Sequence, residues 1–263
     1  MSGRLPRTNM VYYQAEAWRP PPFHRVVTRL DATKAAARRF LDLQAGSIWA
    51  DLKALLPDCR GIVLDVGCGA QPYRHLLAAG AQYRGIDHVY AREHFGYEMP
   101  DTTYYDGERW PVESGSVDVV LATETLEHVP EPVSFLAEAA RCARPGGRII
   151  LTVPFAARWH YIPHDYWRFT PSSLRQMLED AGFANVEIYA RGNAVTVACY
   201  KVIALILPLL MPSTGGPAAR WLARTAGLLC SPALPLLAVI AQLSLRSAGG
   251  ADCLGYTVVA ARP

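Results

Sequence analysis

A chain of 263 residues, 51% apolar and 19% charged, is long enough to bury a full core and most economically forms one α/β domain with decorations. Its formal net charge of +3 is too small to mark a nucleic-acid binder, so no nucleic-acid partner is expected. Six cysteines lie far apart with no Cys-x-x-Cys pair, which gives no sign of a zinc knuckle or a disulfide framework and points to a reducing cytoplasm.

Residues 1–30 are polar, Arg-rich and broken by Pro20, Pro21 and Pro22, and no apolar run suggests a secretory signal. In this head Arg4, Arg7, Arg19, Arg25 and Arg29 face only Glu16, and Tyr12, Tyr13 and Trp18 are expected to pack it down. Helices are predicted over 31–44 and 47–56, the second with Ile48, Leu52 and Leu55 on one side, and Pro57 and Gly61 stop them. Short β-branched runs then alternate with helical ones. Strands are predicted over 62–66, 83–87, 117–123 and 148–153, a rhythm that means a parallel sheet with helical crossovers. Between them, Pro72 opens a predicted helix with Tyr73, Leu76 and Leu77 on one face, and another helix covers about 131–143. A third begins with Thr170 as cap and Pro171 as its first residue, and a strand follows at 186–192.

Residues 198–248 break the rhythm. They hold the apolar runs "VIALILPLLM" and "AGLLCSPALPLLAVIAQL", no acid, and the cations Lys201, Arg220, Arg224 and Arg246. Strand character returns at 255–262. The predicted organisation is therefore an N-terminal extension (1–57), a core (58–197), an apolar basic insertion (198–250) and a final core strand (251–263). The first run is too short to span a bilayer and the second is broken by Pro232 and Pro235, so the insertion is expected to lie in a membrane interface at the inner face, or to serve as a buried lid or subunit contact.

The stretch "VLDVGCGAQPY" (63–73) is a strand leading into a glycine loop. A pyrophosphate fingerprint needs a third glycine where this chain has Pro72, and Asp65 adds negative charge where a diphosphate would sit. The loop therefore argues against a dinucleotide. Asp87 stands 20 residues after Gly67, the offset at which an acid meets ribose hydroxyls. A ribose without a diphosphate, joined to a cationic amino acid, describes S-adenosylmethionine.

With these residues the sequence resembles the class I S-adenosylmethionine-dependent methyltransferases, in particular the broad group carrying LDVGCG (64–69), GID (85–87), an acid followed by a DVV run (106–120), LEHV (126–129) and RPGG (144–147) in order. The resemblance covers about residues 60–192 and implies a doubly wound Rossmann-like α/β fold with mostly parallel strands. It also implies that Asp65, Gly67 and Gly69 face the methionine part, Asp87 the ribose, and Asp106 with Gly107 the adenine, while Glu124 lies near the reacting centre. Cys68 is expected to be a small filler, because no His stands beside it in the motif.

Methyl transfer is an in-line displacement, so an oxygen acceptor must be oriented and relieved of its proton. Two clusters offer the groups. One is Glu124, Glu127 and His128, which a helical turn would aim to one side; the other is "WHYIPHDYWRFT", with His160, His164, Asp165, Tyr166 and Arg168. The preferred expectation is metal-free catalysis with His164 or His160 as base, His128 beside it, and Tyr166 or Asp165 shaping the pocket. The alternative is a divalent metal on Glu124, Glu127, His128 and His164, which resembles metal-assisted O-methyltransferases of ubiquinone biosynthesis and of small RNAs. The loop and apolar tail also resemble bacterial methyltransferases of cell-surface polysaccharide or lipid-linked sugar pathways. The expected acceptor is thus small or lipid-carried: a saccharide, a quinone or another hydrophobic hydroxyl compound. A catalytically silent cofactor-binding module is the rival from another class.

Overall fold

A computed structural model describes residues 25–263 except 92, 94, 95, 97 and 108. Arg4, Arg7, Tyr12, Tyr13, Trp18 and Arg19 of the basic head lie outside the described residues.

Seven strands, β1 (Ile62–Val66), β2 (Gln82–His88), β3 (Thr102–Tyr105), β4 (Val117–Thr123), β5 (Ala143–Pro154), β6 (Ala184–Arg191) and β7 (Gly255–Ala261), form one sheet in the order β3-β2-β1-β4-β5-β7-β6. Neighbours from β3 to β5 pair in parallel, and β7 runs antiparallel to both β5 and β6. β1 and β4 are buried almost throughout, because apolar residues occupy both faces of a sheet covered on both sides. On one side α3 (Pro132–Cys142) and α4 (Pro171–Asp180) bring Leu136, Ala139, Leu174 and Leu178 into a core with Leu64, Val120 and Ile149. α1 (Arg29–Leu41) precedes α2 (Leu43–Leu55), and Ile48 and Leu52 of α2 pack with Val63, Leu121 and Ile150. The strand order reverses between β1 and β4, and the crevice beyond their carboxyl ends is where such sheets bind ligands.

The predicted strands agree with the observed ones to within a few residues, except that β5 also takes in Ala143–Gly147. Thr170 caps α4 as expected, its hydroxyl accepting from the Ser173 amide at 3.3 Å. The helix expected after Pro72 does not form: only a single 3-10 turn at Arg74–Leu76 is present. Gln71 is buried at φ +55° with its side-chain amide donating to Asp101 (3.0 Å) and Thr102 (3.1 Å), which anchors the chain in a loop there. Tyr73, Leu76 and Leu77 still pack against the core of Ile48 and Leu52, so the apolar pattern is used by a different backbone.

The insertion is helical and begins a little earlier than expected, at α5 (Ala194–Leu210), which Asn193 caps; α6 (Pro217–Cys230) and α7 (Ala233–Ser244) follow. It hangs between β6 and β7, and its two ends meet: the Gly250 amide donates to the Gly192 carbonyl at 3.1 Å, and the Leu254 amide to that of Arg191 at 2.9 Å. Ile203 and Ile206 of α5 and Leu234, Ala238 and Ala241 of α7 form a second core with Leu43. Among the described residues no single helix is long and apolar enough to cross a membrane, and α6 and α7, which together have the length and composition, bend by 55° at their break. All six cysteines are free, and only Cys230 is exposed.

Candidate active site

The glycine loop leaves β1 at the switch point. Gly67 has φ +68°, and a Cβ there would lie 2.3 Å from Thr125 Cγ2, so both the backbone twist and the lack of a side chain are required. Gly69, at φ +49°, donates its amide to Asp87 Oδ2 at 3.0 Å, and the His88 amide donates to Asp87 Oδ1 at 2.9 Å. Asp87 at the end of β2 therefore holds the loop. Asp65 is buried; its Oδ2 accepts from the Tyr83 hydroxyl at 2.7 Å, while Oδ1 has no protein partner. Burial pushes Asp65 up to about 7 against the Tyr83 hydrogen bond, and burial pushes Asp87 up to about 6 against its two amides. An orphaned carboxylate oxygen and two acids reluctant to ionise fit a ligand that brings positive charge and hydroxyl donors, and they do not fit a diphosphate. Burial, helped by Asp65, pushes the Cys68 thiol far above its ordinary range, which leaves it an inert filler as expected.

These acids set a pH dependence. Their folded pKa values lie above the ordinary 3.8, so in that window the ligand-free fold holds protons that the unfolded chain has lost. Its stability therefore rises as pH falls through 7 and then 6, and is lost as pH rises through the same values. Affinity for adenosylhomocysteine should run the other way, falling up to about tenfold per pH unit for each acid that must ionise. Thermal shifts with and without the ligand check both trends, and Asp87→Asn should flatten the part of the profile near 6.

Thr125 connects the loop to the second cluster. It abuts Gly67, its hydroxyl donates to the Val66 carbonyl at 3.3 Å, and it immediately precedes a 3-10 turn at Leu126–His128. In that turn Glu127 is fully buried with neither carboxyl oxygen hydrogen-bonded. His128 Nδ1 donates to the His164 carbonyl at 2.5 Å, leaving Nε2 as the unprotonated nitrogen, 3.7 Å from Glu127 Oε1. The loop after β5 brings His160, whose Nδ1 donates to Asp165 Oδ2 at 2.9 Å and to the Arg158 carbonyl at 3.1 Å. With Nδ1 engaged by these two oxygens, Nε2 is the ring nitrogen left to meet another group. Arg168 grips Asp165 with two bonds of 2.6 and 2.7 Å, and the Trp159 indole donates to the Asp165 carbonyl at 3.1 Å.

Ligand atoms of Glu127, His128 and His160 lie within 4.8 Å of one another, and the two imidazole rings meet edge to face at 5.0 Å. Burial, then the negative charge of Glu124, pushes the Glu127 carboxyl well above its usual range. Burial, then His160, lowers His128 to about 4, so it stays a neutral imidazole at physiological pH and is a poor proton acceptor there. Burial raises Asp165, but the hydrogen bonds from Arg168 and His160 outweigh it and hold the carboxylate well below its usual range.

Several expected residues sit elsewhere. Glu124 is not part of a helical turn with Glu127 and His128: it has φ +49°, its amide is held by Thr152, and its carboxylate pairs with Arg191 at 2.9 Å. The set Glu124, Glu127, His128 and His164 is therefore replaced by Glu127, His128 and His160. His164 enters through its main-chain carbonyl. Tyr166 donates its amide to the Glu127 carbonyl at 2.8 Å and its side chain is exposed, so the structure does not draw the phenol into the cluster. Asp106 and Gly107 follow β3 and are exposed, and a Cβ at Gly107 would meet nothing within 4 Å. Sequence reading missed Tyr83, Thr125 and Arg191. The presence of Gly85 directly across the strand pair from Asp65 is the signal that a neighbouring side chain reaches over, since a Cβ at Gly85 would lie 3.2 Å from the Tyr83 ring.

A sheet of this order, with a glycine loop and two acids at its switch point, defines an S-adenosylmethionine-dependent methyltransferase. The chain belongs to the methyltransferase-domain family, whose pattern matches residues 29–188. Among curated proteins it is 32% identical over 168 residues to a ubiquinone biosynthesis O-methyltransferase of Burkholderia pseudomallei, covering 53% of this chain and 71% of that one. It is 38% identical over 99 residues to an uncharacterized methyltransferase of Mycobacteroides abscessus, covering 34% and 38% of the two chains. Among solved structures, an S-adenosylmethionine-dependent methyltransferase of Thermotoga maritima superposes with a TM-score of 0.51 at 15% identity, over 88% of this chain and 96% of that one. Against the phosphoethanolamine N-methyltransferase 2 of Haemonchus contortus the TM-score is 0.48 at 16% identity, and 82% of this chain spans 53% of that one.

Proposed function

We propose that this methyltransferase acts on a hydroxyl oxygen of a small, hydrophobic acceptor of the quinone-type phenol class, with His160 as the proton acceptor. The observation that carries the reading is the Asp165–His160 pair: a carboxylate fixed by Arg168 holds Nδ1–H and leaves Nε2 to receive a proton. The relatives named for ubiquinone biosynthesis support the acceptor class. The cofactor, cradled by Gly67, Gly69 and Asp65, with Asp87 toward its ribose and Asp106 and Gly107 toward its adenine, supplies a methyl group on a positively charged sulfur. Asp65 balances positive charge at the methionine end, and Asp87 accepts from hydroxyls while keeping the Gly69 amide in place. Thr125 sets the distance between this cradle and the histidines. Glu124, tied to Arg191, follows β4 directly and is held beside the cradle by that pair. His128, neutral and anchored at Nδ1, offers Nε2 to orient the acceptor.

A second reading is favoured by the two unpartnered oxygens of Glu127. A buried carboxyl without a hydrogen bond, next to two imidazoles that each present Nε2 and each have Nδ1 held by an oxygen, is the donor set of a divalent-cation site. Glu127, His128 and His160 would hold the ion, which would polarise the acceptor oxygen. Dialysis against chelator separates the two readings. If His160 acts as base, turnover of a catechol test acceptor survives and the purified protein carries no stoichiometric metal by mass spectrometry. If the cluster holds an ion, turnover is lost, returns with added Mg²⁺, Mn²⁺ or Zn²⁺, and Glu127→Gln abolishes the metal content.

A further inference from the structure

The inserted helices carry apolar surface that the described residues leave exposed. In α6 the buried position is Gly227, where a Cβ would come within 2.9 Å of the α5 backbone at Leu209 and Leu210, so this is the side that docks on the protein. On the opposite side Trp221, Leu222, Leu228 and Leu229 recur at helical spacing, and each is between 61% and 77% exposed. Arg220 and Arg224, one turn apart, border this stripe. In α7 the buried row is Leu234, Ala238 and Ala241, while Leu236, Val239, Ile240 and Leu243 form a second exposed row on a helix without any charged residue. An amphipathic helix normally turns its apolar side inward; α6 turns it outward.

Charge identifies what covers it. From Glu187 to Asp252 there is no acidic residue, while Lys201, Arg220, Arg224 and Arg246 lie within the insertion. A second copy related by a two-fold axis would bring the same arginines together with no acid in the segment to meet them. A sheet of anionic headgroups over hydrocarbon complements both features, apolar rows below and guanidinium groups at the phosphate level. We infer that α6 and α7 form a membrane-docking surface that seats the enzyme on an anionic lipid bilayer, lying in its interface and not crossing it. The inference is independent of the acceptor and of the metal, because docking needs no turnover.

Flotation of the full chain with phosphatidylglycerol–phosphatidylcholine vesicles, with pure phosphatidylcholine vesicles and without lipid is the test. The protein should float with the anionic vesicles, and the bound fraction should fall as salt screens the arginines. Leu222→Glu with Leu229→Glu should weaken binding by at least about tenfold, and Arg220→Glu with Arg224→Glu should remove the preference for anionic lipid. All four positions are exposed, and unchanged affinity of each variant for adenosylhomocysteine confirms an intact core. Absence of flotation with either vesicle, or binding that neither pair of substitutions alters, would overturn the inference. So would a wild-type dimer in sedimentation velocity that the leucine substitutions convert to monomers, since a second copy would then cover the stripe.

Discussion

His160→Ala should lower kcat by a hundredfold to ten-thousandfold, about the range for removing a general base, while affinity for adenosylhomocysteine stays at the wild-type value. The separation follows from the site: His160 stands in the loop after β5, and the cofactor cradle is built on β1 and β2. Asp165→Asn should act differently. Asp165 positions His160 and does not reach the acceptor, so its loss should cost less in kcat and should move the acid limb of the pH–rate profile to lower pH, which a purely structural change would leave in place. Single-turnover assays with a catechol acceptor and saturating cofactor give the comparison directly. A His160→Ala enzyme turning over within a few fold of wild type would remove the imidazole from both readings of the site, as base and as ligand.

Gly67→Ala should impair the cradle itself. The new methyl would sit 2.3 Å from Thr125 Cγ2 and 2.6 Å from its Oγ1, and at φ +68° an alanine also bears about 1–2 kcal/mol of left-handed strain. The loop must move, and the Gly69 amide with it, so calorimetry should report adenosylhomocysteine binding at least about tenfold weaker together with a lower Tm. Thr125→Ala in the same chain removes both clashing atoms but not the strain, and should restore part of the affinity. Gly115→Ala, in the turn before β4, is the contrast: it shares a positive φ, +64°, but a Cβ there has open space, so only backbone strain is felt. Equal losses at Gly67 and Gly115 would mean that steric contact with Thr125 is not what makes the glycine necessary.

Most of the scaffold could be read from the sequence because its strands are short β-branched runs with clear punctuation, and helices such as α4 announce their own start with Thr170 and Pro171. The place of Asp87 was legible for a similar reason: its offset from Gly67 is set by one strand–loop–strand unit, and its carboxylate meets the glycine loop at the Gly69 amide. Local pattern failed where a tertiary contact overrode it. Pro72 promised a helix, but Gln71 is captured by Asp101 and Thr102, and too little chain remains before β2. The spacing of Glu124, Glu127 and His128 matched a helix, yet Arg191 from a distant strand draws Glu124 away. The composition of the loop after β5 marked it as a candidate site without indicating which histidine ring would join Glu127 and His128. That choice depends on which nitrogen meets Asp165 or a carbonyl, and no one-dimensional spacing contains it.

The closure of the insertion at Gly192 and Gly250 has an evolutionary meaning. Because the chain leaves the sheet and re-enters it at nearly the same point, the three helices can be exchanged for a short hairpin, or for another module altogether, without shifting a strand that carries chemistry. Only Leu43 and its neighbours would need a new cover. The insertion can thus vary in length and surface chemistry as a single cassette, while the sheet and the crevice at the carboxyl ends of β1 and β4 keep their geometry.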